Sequence, residues 1–327
     1  MTETSSSPPL TNAAVVLTDA ERAQVRTVAD GLLRVADGRL DDRSWLAAAR
    51  AATEHLPHRL RGELRDFRHD AGVDGTLVIR NLPVEEELPA TPVVPGSVRR
   101  TASVAPATVT TVMLQLGEVI AYRSEKTGAL VQDVVPVPGH EAQQSNAGSV
   151  RLHLHTENAF HPHRPHYVGL LCVRADPTGD ARLCTSSVRR VLPLLPKEVR
   201  AVLAEQRFMT EPPPSFGDLG GVTPVHAVLQ GAPDDPDLVV DFAATHPLDD
   251  GARAALEALR EALESQAYPH DLEVGDLAIA DNRLTAHGRT SFRPRFDGTD
   301  RWLHRVYATL DARRVRPSSE TGGAVLR

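Results

Sequence analysis

Apolar and polar positions change their period several times along the chain. From Thr18 the spacing is helical: Thr18 with Glu21 three residues on has the form of a capping box, and Val25, Val28, Leu32, Leu33 and Val35 follow on one stripe. A second helical stretch is predicted over 43–65, and 75–80 (GTLVIR) reads as a short buried strand closed by a turn at 81–83. Between 100 and 190 short apolar runs, 108–116, 130–136, 150–155 and 167–173, alternate with turn residues. Many short strands at that spacing predict a sandwich or barrel rather than alternating βαβ units. Residues 193–207 read as helical, 238–242 as a strand, 249–267 as a strong helix and 276–280 as another strand. The stretch 209–236, Pro/Gly-rich from 211, is expected to be a loop or lid. Residues 1–14 are rich in Ser, Thr and Pro without periodicity and are expected to be a disordered leader, leaving 15–327 as one domain.

Composition narrows the function classes. No run of about 18 apolar residues is present and the first nine residues do not form a secretory signal, so a cytoplasmic protein with no membrane partner is expected. Thirty-six basic against 43 acidic residues give a net charge of −7, which argues against nucleic acid as a partner. Two isolated cysteines, Cys172 and Cys184, form no CxxC motif and fit a reducing compartment. The histidines do change the picture: five of the 14, His153, His155, His161, His163 and His166, fall within fourteen residues.

In that cluster His155, Thr156 and Glu157 form an HxE motif at the end of a predicted strand, where residues i and i+2 share a face. An imidazole and a carboxylate then converge, two of the three protein ligands of a facial triad that leaves three positions of an octahedral Fe(II) open. A third ligand is offered 130 residues later, where a strand and polar turn lead into His287, Gly288 and Arg289. Fourteen residues further on, Arg301 opens a segment that alternates like a strand, and a guanidinium there can hold a carboxylate bidentately. These are the needs of 2-oxoglutarate, a keto acid on the metal and a fixed cation at the far carboxylate. A zinc hydrolase using the same His/Glu/His set is the enzymatic rival, from which Arg301 discriminates. A degenerate fold that only binds an amino acid or a carrier protein is the non-enzymatic one. The other clustered histidines and His304 are read as structural or surface residues, and Arg289 and Arg295 as alternative anion clamps.

The runs HTENAFHPHRPHYVGLLCVRAD (155–176) and DNRLTAHGRTSFRPRFDGTDRWLHRVY (281–307), with GALVQDVVPVPG (128–139) and SNAGS (145–149), resemble the clavaminate synthase-like branch of the Fe(II)/2-oxoglutarate oxygenases. The likeness spans about 40–315 and is greatest to members that β-hydroxylate free L-asparagine for nonribosomal peptide antibiotics. It implies a mainly β fold with packed helices around a double-stranded β-helix (jelly-roll) core. It also implies Fe(II), 2-oxoglutarate and O₂ as cofactor and co-substrates, with His155, Glu157 and His287 on the iron and Arg301 on 2-oxoglutarate. A small amino acid is the implied partner, and a monomer is compatible with that.

The same resemblance places the substrate's α-amino and α-carboxylate groups on Glu125 and Arg305, and its side-chain amide on Asn146 and Asp241. Related arginine hydroxylases carry DxD where this chain has Val239 and Asp241, so one carboxylate rather than two favours a neutral amide. Arginine, lysine, ornithine and glutamine remain alternative substrates. An amino acid tethered to a carrier domain lacks the carboxylate that Arg305 would hold, which favours the free zwitterion. Because Glu157 occupies its coordination position, hydroxylation is expected rather than the halogenation seen in relatives lacking the carboxylate. The resemblance implies the (3S) product.

Overall fold

Alternation along the strands separates two apolar faces. Leu77 and Ile79, Leu277 and Ile279, and Trp302, Val306 and Ala308 pack with helices, whereas Val78, Ala278, Leu303 and Tyr307 turn to the opposite side. These residues lie on strands Thr76–Arg80, Leu277–Asp281 and Trp302–Thr309 of a nine-stranded sheet, which Ala13–Val16, Tyr167–Arg174, Glu118–Tyr122 and Val131–Val134 help to complete. The computed structural model describes residues 13–216, 224–319 and 323–327. Helices Asp19–Leu32, Arg43–Ala52, His58–His69 and Val104–Met113 cover one face of the large sheet. The other face looks onto a four-stranded sheet, ordered Tyr268–His270, Leu183–Ser187, Thr285–Arg289, Leu152–His155. Behind that small sheet, Leu154, Leu284 and Ala286 pack against helix Asp250–Ser265 through Leu256, Leu259 and Leu263. Each fully buried leucine of such a stripe contributes about 1.5–3 kcal/mol. The fold is therefore mixed, with helices outside two facing sheets, and its polar chemistry lies between the sheets.

Several expected elements are corrected. The run 108–116 is not a strand but the end of helix Val104–Met113, whose ten residues are all buried. With no polar face it shows no helical period, and its valines and threonines mimic a strand. The stretch 43–65 is two helices rather than one, because Pro57 follows the break and favours extended backbone before it. The expected lid contains strand: Val225–His226 pairs with Phe208–Thr210, and Leu229–Ala232 forms a hairpin with Asp235–Leu238. The strand expected over 238–242 thus ends where it was predicted to begin, although 217–223 of the expected lid lie outside the described residues. Ala13 and Ala14, expected in the leader, pair in parallel with Leu77 and Val78, while 1–12 lie outside the described residues. Among the described residues no helix is long and apolar enough to cross a membrane.

Two histidines give the fold a pH dependence. Burial pushes His166 and His270 down to about 4, and each ring is tied inside the fold, His166 to Thr309 Oγ1 at 3.1 Å and His270 to Thr185 Oγ1 at 2.7 Å. Both are neutral when folded and take up a proton on unfolding between about pH 6.5 and 4, so stability falls as pH is lowered through that window. Melting profiles recorded from pH 7 to 4.5 are expected to be flatter for His270→Gln than for the unaltered protein. Parallel profiles would remove His270 from this account.

Candidate active site

The HxE motif sits where strand Leu152–His155 ends. His155 is the antiparallel partner of His287 on Thr285–Arg289, which sets the two imidazoles side by side with centroids 4.4 Å apart. Glu157 follows at the strand's end, its Oε2 3.4 Å from His287 Nε2. One donor atom from each of the three residues lies within 4.8 Å of the others. His155 Nδ1 lies 2.9 Å from the His153 carbonyl, which only accepts, so Nδ1 carries the proton and Nε2 keeps its lone pair for a metal. Glu157 Oε2 is buried and accepts no hydrogen bond, an oxygen that a cation would satisfy. Two imidazoles and a carboxylate in this disposition fit a ferrous ion with open positions.

The backbone around the triad is held from both sides. Asn282 accepts from the Glu157 N–H at 2.7 Å and donates to the Glu157 and Pro165 carbonyls at 3.1 and 2.9 Å. Thr156 Oγ1 donates to the Val240 carbonyl at 3.1 Å, and His155 forms an isolated bridge with Asp241. Asn158, with φ of 52°, turns the chain away from the strand. Burial opposes charge on Glu157, but Arg305 and the two imidazoles outweigh it and hold the carboxyl well below the usual range. Burial, then the neighbouring His155, lowers His287, which keeps its ring neutral for coordination.

Beside the triad lies a cavity of about 600 Å³ lined by Glu125, Asn146, His155, Glu157, Asp241 and Arg305, with 211–216 along one wall. Arg305 is buried and donates to Glu157 Oε1 at 3.0 Å, to Gln132 Oε1 at 3.1 Å and to the Glu125 carboxylate. Tyr307 Oη donates to Glu125 Oε1 at 3.1 Å. Glu125 and Arg305 thus meet each other at the cavity wall, and Asn146 and Asp241 line the same space. Lys126 next to them is pushed down to about 8 by burial and then by Arg305.

Arg301 lies on the inward side of its segment, four residues from Arg305, and is 6% exposed. Its guanidinium has no hydrogen-bond or ion-pair partner among the described residues, and burial lowers its pKa. A narrow gap between the sheets is lined by Val168, Leu170, Leu183, Thr185, Ala278 and His287, and Arg301 immediately precedes strand Trp302–Thr309. Arg289 is pushed down to about 9 by burial and then by Arg301. His304 turns to the helical side, 3.2 Å from Asp133 Oδ1, as alternation predicts. His161 packs on Tyr122 with centroids 4.8 Å apart. His153 lines the cavity. Sequence reasoning passes over Gln132, Asn282 and Tyr307. Gln132 was visible as a polar residue inside an apolar run, and Tyr307 as the next inward position after Arg305.

The family model described as taurine catabolism dioxygenase TauD, TfdA family, matches residues 55–307. The chain is 50% identical to the L-asparagine oxygenase of Streptomyces coelicolor over 95% of its own length and 94% of that protein's. It is 33% identical to the L-lysine 3-hydroxylase of Catenulispora acidiphila over 98% and 90% of the two chains. A solved structure of an asparagine oxygenase with Fe(II), 2S,3S-3-hydroxyasparagine and succinate superposes with a TM-score of 0.93 at 49% identity, covering 96% of this chain and 99% of that one. By the extent of these matches the chain belongs to the TauD/TfdA family of dioxygenases.

Proposed function

We propose that this chain is an Fe(II)- and 2-oxoglutarate-dependent oxygenase that hydroxylates free L-asparagine at Cβ, its two facing sheets forming a double-stranded β-helix. The observation that carries the reading is the meeting of the His155, Glu157 and His287 donors within 4.8 Å beside a cavity lined by Glu125, Arg305, Asn146 and Asp241. His155 Nε2, Glu157 Oε2 and His287 hold the iron, and Arg301 holds the distal carboxylate of 2-oxoglutarate. When bound, iron with 2-oxoglutarate and O₂ supplies an oxidant that replaces a C–H hydrogen by hydroxyl, the keto acid leaving as succinate and carbon dioxide.

The residues' part is placement, since that oxidant attacks any C–H bond brought close. Arg305 meets the amino acid's carboxylate and Glu125 its ammonium, so the zwitterion inserts between two groups that otherwise pair with each other. Asp241 accepts from the carboxamide NH₂ while Asn146 donates to its oxygen and accepts from its second hydrogen. A substrate aspartate would set its carboxylate against Asp241. The similarity to an L-asparagine oxygenase supports the amide. The lysine hydroxylase relative keeps a basic amino acid as the second reading, against which stands the single carboxylate with Val239 two positions before it.

The test is a screen of the twenty L-amino acids with Fe(II), 2-oxoglutarate and ascorbate, reading succinate and a mass gain of one oxygen. Asparagine is expected to give both; if it is inert while a basic amino acid gains oxygen, the substrate assignment fails and the chemistry stands. Asp241→Asn is expected to lower kcat/KM for asparagine about 100-fold, because a paired amide is left with a donor facing a donor. Aspartate turnover should rise above background in the same variant.

A further inference from the structure

We propose that Arg289 is a second anchor for the distal carboxylate of 2-oxoglutarate and sets the preference for a dicarboxylate over a monocarboxylate keto acid. The proposal rests on the oxygenase reading above. Arg289 lies two residues after His287 on strand Thr285–Arg289, so both side chains point to the space between the sheets. Two residues of strand span about 7 Å, comparable to the reach of a five-carbon diacid chelated beside His287.

Arg289 is 4% exposed; it donates to the Val150 carbonyl at 2.9 Å, stacks on Phe292 at 5.0 Å, and leaves Nε buried without a partner. Arg301 lies close enough to act electrostatically on it. Neither guanidinium has a carboxylate within ion-pair distance among the described residues, and the acid bearing on Arg301 is the more distant Asp176. Two buried like charges with no counterion are costly, and an anionic ligand between them removes that cost. One arginine satisfies a carboxylate in the plane of one fork; the second, with a free Nε–H, matches the remaining lone pairs.

The experiment measures binding to the full chain with Fe(II) under nitrogen, by calorimetry, for 2-oxoglutarate and for 2-oxovalerate, which lacks the distal carboxylate. Arg289→Gln is expected to weaken 2-oxoglutarate about tenfold or more and to leave 2-oxovalerate within about twofold. An unchanged 2-oxoglutarate affinity in Arg289→Gln, with Arg301→Gln losing it, overturns the role of Arg289 while the oxygenase reading stands. If Arg301→Gln also binds normally, the clamp itself is wrong. Should Arg289→Gln fail to fold, Arg289→Lys decides: a reduced ratio of 2-oxoglutarate to 2-oxovalerate affinity supports the anchor, and an unaltered ratio refutes it.

Discussion

Glu157→Ala protein is expected to remain folded, to bind no iron at working concentrations and to lose turnover by a factor of about 1,000 or more. Three protein donors meet at this point, and removing the one anion among them takes away most of the attraction for a dication. The fold should tolerate the change. Glu157 is buried and costs desolvation, and its partner Arg305 keeps Glu125 and Gln132. The discriminating measurement is the melting temperature with and without Fe(II) under nitrogen. Binding to the native state alone raises it for the unaltered protein, and no rise is expected for Glu157→Ala or His287→Ala. An equal rise in both variants would place the metal elsewhere.

Arg305→Met should damage both stability and recognition. In the structure Arg305 serves Glu125, Gln132 and Glu157 from one buried position, so its loss leaves two carboxylates between the sheets without their cation. Breaking a buried pair from one side costs about 3–5 kcal/mol, which for a chain of this size is a fall of roughly 5 °C in melting temperature. The KM for asparagine is expected to rise about 100-fold in addition, because the α-carboxylate loses a charge-assisted contact. Arg305→Lys, which keeps the charge but not the fork, should recover most of the stability and less of the affinity. Normal melting with a normal KM in Arg305→Met would contradict the ion network and the substrate contact together.

The candidate metal triad was legible because the HxE spacing brings His155 and Glu157 together at a strand's end, and the strand and polar turn before His287, with the likeness of 281–307 to known oxygenases, offered the third member. Arg301 and His304 followed from the same alternation, one inward and one outward. The Arg305–Glu157 contact was not legible, because it joins two sheets and no local period records how far apart they sit. Helix Val104–Met113 was misread for a related reason: wrapped on all sides by strands and helices, it has no polar face to reveal its period. The hairpin Leu229–Ala232 with Asp235–Leu238 hides under Gly231, Pro233 and Pro236, which read as loop, although Gly231 and Pro236 face each other on one of its rungs and Pro233 occupies its two-residue turn.

The bridge between His155 and Asp241 ties the HxE motif, the proposed metal-binding pair, to the residue proposed for the far end of the substrate through a single antiparallel rung. Neighbouring backbones on such a rung are about 5 Å apart and cannot slide without inverting every side chain on the segment. On these proposed assignments regiochemistry is set by main-chain geometry: a side chain one methylene longer, gripped at the same two ends, would buckle or present a different carbon to the oxidant. Changing which carbon is oxygenated in this enzyme should accordingly demand moving a segment, whereas changing which head group is accepted demands only new side chains.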